Sequence, residues 1–180
     1  KDLREEVEHM SGLVAELLSF SKAGMRPVEV HLVPFRVSDV VKKAVAREAN
    51  PAVKIEVAVD ESLKVVADAD YLFRSLTNLV RNAVRYAGEY GPIRISAAPE
   101  QDRIVITVAD EGPGLPDEAL EEVFAPFHRP EPARSRETGG TGLGLAIVKS
   151  CIEACQGTVR CRNRQPRGLA VDIRLIPALA

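Results

Sequence analysis

Asn78-Leu79-Val80-Arg81-Asn82-Ala83-Val84-Arg85-Tyr86 is the stretch on which the reading of this chain turns. It closes a helical pattern that opens near Ala69, and Leu72, Leu76, Leu79 and Ala83 share one apolar face that should pack on a sheet. Asn78, Asn82 and Arg85, at spacings of four and three, share a neighbouring face. A solvated helix face usually carries Lys and Glu. Asn in a helix interior costs some propensity, which points to a purpose. Amide oxygens suit a hard cation, and a guanidinium suits a phosphate.

Working outward, apolar and polar residues alternate in most of the flanking segments. Val28, Val30 and Leu32 read as a strand, followed by a helix to Ala49 capped by Ser38 or Asp39. Ile55, Val57 and Val59 form a strand, and Leu63 to Ala67 a short one. Strands with Ile93 and Ile95, then with Ile104, Ile106 and Val108, follow the central helix. A short helix is expected from Asp117 to Val123 and a longer one from about Gly142 to Cys155. Val159 and Cys161, then Val171, Ile173 and Leu175, close the pattern. Alternation implies one wet and one buried sheet face. The expected class is therefore α+β, a two-layer sandwich with helices on one side of a mixed, largely antiparallel sheet.

Two further motifs follow the Asn-bearing helix. Asp110-Glu111-Gly112-Pro113-Gly114 ends a strand. Its carboxylate could accept a hydrogen bond from an exocyclic amine, and its glycines let backbone approach a ligand; an ordinary acidic turn is the plainer reading. Gly139-Gly140-Thr141-Gly142-Leu143-Gly144 opens a helix. Free amides and the helix dipole at such an end bind phosphate, whereas the plainer reading is a hinge. The loop lacks the Lys-Ser/Thr of a Walker sequence and no strand directly precedes it. Taken together, the three motifs read as a nucleotide pocket.

Composition narrows the rest. The 180 residues are 46% hydrophobic, which fits a globular domain with room for one appended element. A formal net charge of −2 argues against bulk nucleic-acid binding. No apolar run is long enough to span a bilayer. Cys151, Cys155 and Cys161 match no zinc or redox spacing and read as small buried hydrophobes. Leu3, Val7, Met10, Val14 and Leu17 form a heptad seam on a helix to about Lys22, widened by Leu13, Leu18 and Phe20. So wide a stripe needs helical partners, and Ala23 to Pro27 would end the helix as a linker. Opening on Lys inside a helical pattern, the chain reads as a piece of a longer protein.

These residues carry a resemblance. The chain resembles the ATP-binding domain of sensor histidine kinases, in the superfamily shared with gyrase, mismatch-repair ATPases and heat-shock chaperones. Asn78 to Tyr86 is similar to the N box, Asp110 to Gly114 to the first glycine box, Phe124-Ala125-Pro126-Phe127 to the F box, and Gly140 to Gly144 to the second glycine box. Glu16 to Lys22 is similar to the end of the second helix of the dimerisation and phosphotransfer domain. The resemblance implies a Bergerat-type fold over residues 25–180, preceded by the tail of a dimerisation helix over 1–24.

It also implies roles. ATP and Mg2+ are the expected cofactors. Asn82 would coordinate magnesium, assisted by Asn78, and Arg85 would contact phosphate; Asn82 and Arg85 are the residues expected to carry catalysis. Tyr86 would lie against adenine and Asp110 would recognise its amine, with Gly112 and Gly114 shaping the turn. Gly140, Thr141, Gly142, Leu143 and Gly144 would cradle phosphates. Residues 128–138 would form a lid, with Arg129, Arg134 or Arg136 near the terminal phosphate, and Phe124 and Phe127 would anchor it.

Relatives that hydrolyse ATP carry a Glu, as the base that activates water, at the position of Asn78. An amide cannot take a proton at neutral pH, so phosphoryl transfer to a protein side chain is expected over efficient hydrolysis. The family's phosphoacceptor motif is absent: His9 reads as a bundle-surface residue, His31 lies in an expected strand, and His128 sits at the lid edge. The implied partners are the protein's own dimerisation and phosphoacceptor domain and a response-regulator receiver domain, in a homodimeric parent. The implied location is a cytoplasmic domain, compatible with an inner-membrane receptor as parent. Alternatives are an ATP-binding sensor or scaffold module without catalysis, and a serine kinase of the anti-sigma regulator type.

Overall fold

The computed structural model describes residues 29–128 and 141–178. The expected N-terminal helix and linker lie outside these residues, as do Arg129, Arg134, Arg136, Gly139 and Gly140. In chain order the elements are β1 (Val33–Arg36), α1 (Val37–Glu48), β2 (Ile55–Val59), β3 (Lys64–Ala67), α2 (Ala69–Ala87), β4 (Ile93–Glu100), β5 (Arg103–Ala109), α3 (Ala119–Glu122), α4 (Gly144–Ala154), β6 (Thr158–Asn163) and β7 (Leu169–Pro177).

The described strands form one seven-stranded sheet ordered β1-β3-β7-β5-β4-β2, with β6 also paired to β7. Among them β2 and β4 run parallel, and the remaining pairs are antiparallel. Register follows from the alternation. Ile95 lies opposite Val108, Ile106 opposite Ile173, and Val108 opposite Val171. These five side chains are all buried. A slip of one residue would turn that whole row to water. The other face is polar. There Thr107 Oγ1 donates to Asp172 Oδ1 at 2.7 Å, and Arg94 bridges Glu56 and Glu111 at 3.1 and 2.9 Å.

On the buried face α2 lies between α1 and α4 and touches β4 and β5. Its Leu72, Leu76 and Leu79 are 0–2% exposed, each contributing about 2 kcal/mol of burial. Asp68 caps the helix through the amides of Asp70 and Tyr71. Arg81 ties α2 to α1 through both Glu48 carboxylate oxygens, at 3.2 and 3.0 Å. Cys151 and Cys155 are buried, and burial pushes the Cys151 thiol up to about 11. These two are buried hydrophobes, as the sequence suggested, whereas Cys161 is half-buried and its Sγ donates to the Leu120 carbonyl at 2.9 Å.

Three local expectations are corrected. Residues 29–32 form no strand; pairing starts at Val33 opposite Ala67. The His31 amide donates instead to Asp68 Oδ2 at 3.0 Å, which ties this segment to the α2 cap. Neither Ser38 nor Asp39 caps α1. Arg36 holds the cap position without a side-chain bond, and the first helical amide, that of Val37, reaches the Leu63 carbonyl at 3.0 Å. The third helix is a single turn, Ala119–Glu122, shorter than the expected Asp117 to Val123.

Candidate nucleotide site

The expected site residues gather along one wall, the α2 helix. Asn78 is 7% exposed, and its Nδ2 donates to the Arg74 carbonyl one turn back at 2.9 Å. That bond fixes which way the amide points, leaving Oδ1 as an acceptor. The start of α4 meets this point. A Cβ on Gly144 would sit 3.5 Å from Asn78 Oδ1, 3.5 Å from Asn82 Oδ1 and 3.4 Å from Asn82 Nδ2. Two amide oxygens and a helix start therefore converge. Amide oxygens are proper ligands for a hard divalent cation, which usually takes one or two protein oxygens and completes its shell with phosphate and water. The residues thus fit such an ion. Among the described residues no cluster of His, Cys, Asp and Glu offers a rival metal site.

Farther along α2, Arg85 and Tyr86 emerge into solvent, with the guanidinium 5.8 Å from the ring centroid. Asn78, Asn82 and Arg85 thus run from buried to half-buried to exposed along one line. Arg85 makes no ion pair among the described residues, so its charge is available to an anion.

The α4 start is organised by its own loop. Leu143, at the cap position, is 2% exposed and brings no capping side chain. Its amide donates to Thr141 Oγ1 at 3.1 Å. A helix start with no side-chain cap and a positive dipole end suits an anion. Gly142 has φ +75°, and a Cβ there would lie 2.9 Å from the Phe127 backbone. The Phe127 amide donates to the Gly142 carbonyl at 3.0 Å, so the two sides of the 129–140 segment are bonded at its base. The two F-box aromatics divide. Phe124 is 9% exposed and belongs to the core, whereas Phe127 is 62% exposed with φ +63°, so its main chain makes the junction.

Asp110 stands at the other end of the wall. Gly112, the next turn residue, packs so closely on α2 that a Cβ would lie 2.7 Å from the Ala87 methyl. Asp110 Oδ1 accepts from the amides of Gly112 and Leu169 at 2.9 and 3.1 Å. Oδ2 accepts no hydrogen bond among the described residues. Its neighbour Glu111 turns away to Arg94 on the sheet surface. Gly114 has φ +73° and faces Asn163 Oδ1.

Sequence reasoning missed the residues that back this turn. Asn163 clamps the loop, accepting from the Leu115 amide at 2.9 Å and donating to the Leu115 carbonyl at 2.7 Å and Asp117 Oδ1 at 2.9 Å. Arg164 Nη1 donates to the Asp110 carbonyl. Gly168, at φ +110°, lies directly against that carbonyl. Residues 163–168 join the strands β6 and β7, and nothing local in their sequence announces that they reach Asp110.

Residues 67–179 match the model of the family described as histidine kinase-, DNA gyrase B-, and HSP90-like ATPases. The chain is 33% identical over 129 residues to the signal transduction histidine-protein kinase BaeS of Escherichia coli K12, covering 72% of this chain and 28% of that protein. It is 46% identical over 101 residues to the sensor histidine kinase CpxA of the same strain, covering 56% of this chain and 22% of that protein. The crystal structure of full-length ShkA in complex with AMPPNP superposes with a TM-score of 0.82 at 28% identity, over 99% of this chain and 38% of that one. The chain thus spans about a quarter of the length of these two curated relatives. No described helix is long and apolar enough to cross a membrane. With its mixed sheet, its Asn-lined helix and these matches, the chain belongs to the histidine kinase-, DNA gyrase B- and HSP90-like ATPase family and is an ATP-binding domain of the histidine kinase kind.

Proposed function

We propose that this chain is the catalytic part of a two-component sensor histidine kinase, moving the γ-phosphate of ATP to a histidine on a domain outside it. In this reading residues 1–24 are the end of the dimerisation helix and residues 25–180 the catalytic domain. The partners are that phosphoacceptor domain and, downstream, a response-regulator receiver domain. The parent is a homodimer.

The observation that carries the reading is Asn78, a buried amide pinned to the Arg74 carbonyl where a hydrolytic relative would need a carboxylate. Attack by a neutral imidazole uses a nitrogen lone pair, so this domain need not strip a proton from water. A bond forms from that nitrogen to the γ-phosphorus, the bridge to the β-phosphate breaks, and ADP leaves. What remains for the domain is alignment and charge compensation, which dominate phosphoryl transfer. Asn82, with Asn78 beside it, would hold a magnesium ion whose charge offsets that of the phosphate oxygens. Arg85 and the amides opening α4 would bind phosphate, and Asp110 Oδ2 would accept from the adenine amine. Arg134 or Arg136 would approach the terminal phosphate.

The test supplies the chain with labelled Mg-ATP and a histidine-bearing dimerisation domain in trans. The reading expects label on that domain and steady-state ATP hydrolysis by the chain near background. Ready hydrolysis with no transfer would overturn it.

A further inference from the structure

Asp110 is held on almost every side by one hairpin. Its amide donates to the Leu169 carbonyl at 2.9 Å, its carbonyl accepts from Arg164 Nη1, and its Oδ1 accepts from the Leu169 amide. The remaining bond, from the Gly112 amide to Oδ1, is local to the turn. The hairpin is itself closed by the Arg164 amide on the Gly168 carbonyl at 2.8 Å. Arg167 anchors its tip on the far side, donating to the Tyr90 carbonyl at 3.1 Å with its guanidinium 5.7 Å from the Tyr90 ring centroid.

These bonds decide which carboxylate oxygen is left over. Oδ1 is consumed by two amides, so Oδ2 is the atom presented to a ligand. Rotation of the carboxylate would break both amide bonds, and a shift of the main chain would break the Arg164 contact. We infer that Arg164 is a positioning residue that sets the base selectivity of the site. By holding the Asp110 main chain, it keeps Oδ2 where a purine 6-amino group can donate to it. A purine with a carbonyl at that position would set oxygen against oxygen, and one with hydrogen there would leave the carboxylate unanswered.

This inference rests on Asp110 as the base-reading residue, and the experiment separates the two. Calorimetric titration of the full chain with ATP and with purine riboside triphosphate, which lacks the 6-amino group, gives a selectivity ratio. Wild type should prefer ATP by roughly tenfold or more, the worth of one charge-assisted hydrogen bond. Arg164→Ala should weaken ATP binding by about the same factor and leave the amine-free nucleotide within about twofold, because only the bond to the amine depends on Oδ2. Arg164→Lys, which keeps a cationic donor, should recover most of the preference. Equal weakening of both nucleotides by Arg164→Ala would mean general damage and overturn the inference, as would an unchanged ratio. A wild type that binds both nucleotides equally would remove the Asp110 reading, and the inference with it.

Discussion

At Asp110 the main-chain amide, the carbonyl and one carboxylate oxygen are all bonded before any ligand arrives. At the start of α4 Leu143 brings no capping side chain and, among the described residues, only its own amide is taken, by Thr141 Oγ1, while the Phe127 amide bonds the Gly142 carbonyl. The two regions sit at opposite ends of the same α2 wall, one against Ala87 and the other against Asn78 and Asn82. The difference suits what each end must do. A base is recognised by a group fixed beforehand, so that no ordering cost falls on binding. Phosphates are held by unspent donors and a cation, so those groups must be left unsatisfied until the ligand comes.

The largest expected effect breaks both ends together. Leu72→Ala empties the layer beneath α2 and should cost about 3 kcal/mol, read as a loss of denaturant midpoint, with adenosine and AMPPNP affinities falling in parallel. Loss of one without the other would mean that α2 is not the shared wall.

Gly142→Ala should separate the ends. It places a Cβ 2.9 Å from the Phe127 backbone at φ +75°, adding about 1–2 kcal/mol of left-handed strain. AMPPNP affinity should fall by roughly tenfold while adenosine affinity holds. Asp110→Asn should do the reverse on the base. Adenosine affinity should drop by close to tenfold, since a charged acceptor contributes about 1.5–3 kcal/mol, and inorganic pyrophosphate binding should be unmoved. The smallest effect is at Glu111→Gln. This exposed ion pair with Arg94 should be worth about 0.5 kcal/mol or less, and neither nucleotide end should respond in titration. A strong response there would move the base reader from Asp110 to its neighbour.

What could be read from the sequence divides along the same line. The α2 wall was legible because its signals are local: Leu72, Leu76 and Leu79 repeat with the helix, and Asn78 and Asn82 stand one turn apart. Gly142 and Gly144 were legible for the same reason, as glycines at a helix start. The sheet's two-faced character came from alternation in β4, β5 and β7. The cap of α1 was misplaced because the helix starts at Val37, one residue before Ser38, and a distant carbonyl, that of Leu63, takes its first amide. The strand around Val30 was misplaced because Asp68, thirty-seven residues on, takes the His31 amide. Asn163, Arg164 and Gly168 were missed because their meaning lies in contact with residues more than forty positions away. Such contacts leave no periodic trace in the chain.

Calorimetric titration with AMPPNP, with and without magnesium, on wild type and on Asn82→Ala tests the central claim most directly. The account predicts magnesium-dependent binding by wild type. The variant should lose roughly a hundredfold in the presence of magnesium, in the range of lost metal-site groups, and respond little to the ion. Equal wild-type affinity with and without magnesium, or a variant that keeps the full magnesium response, would contradict it.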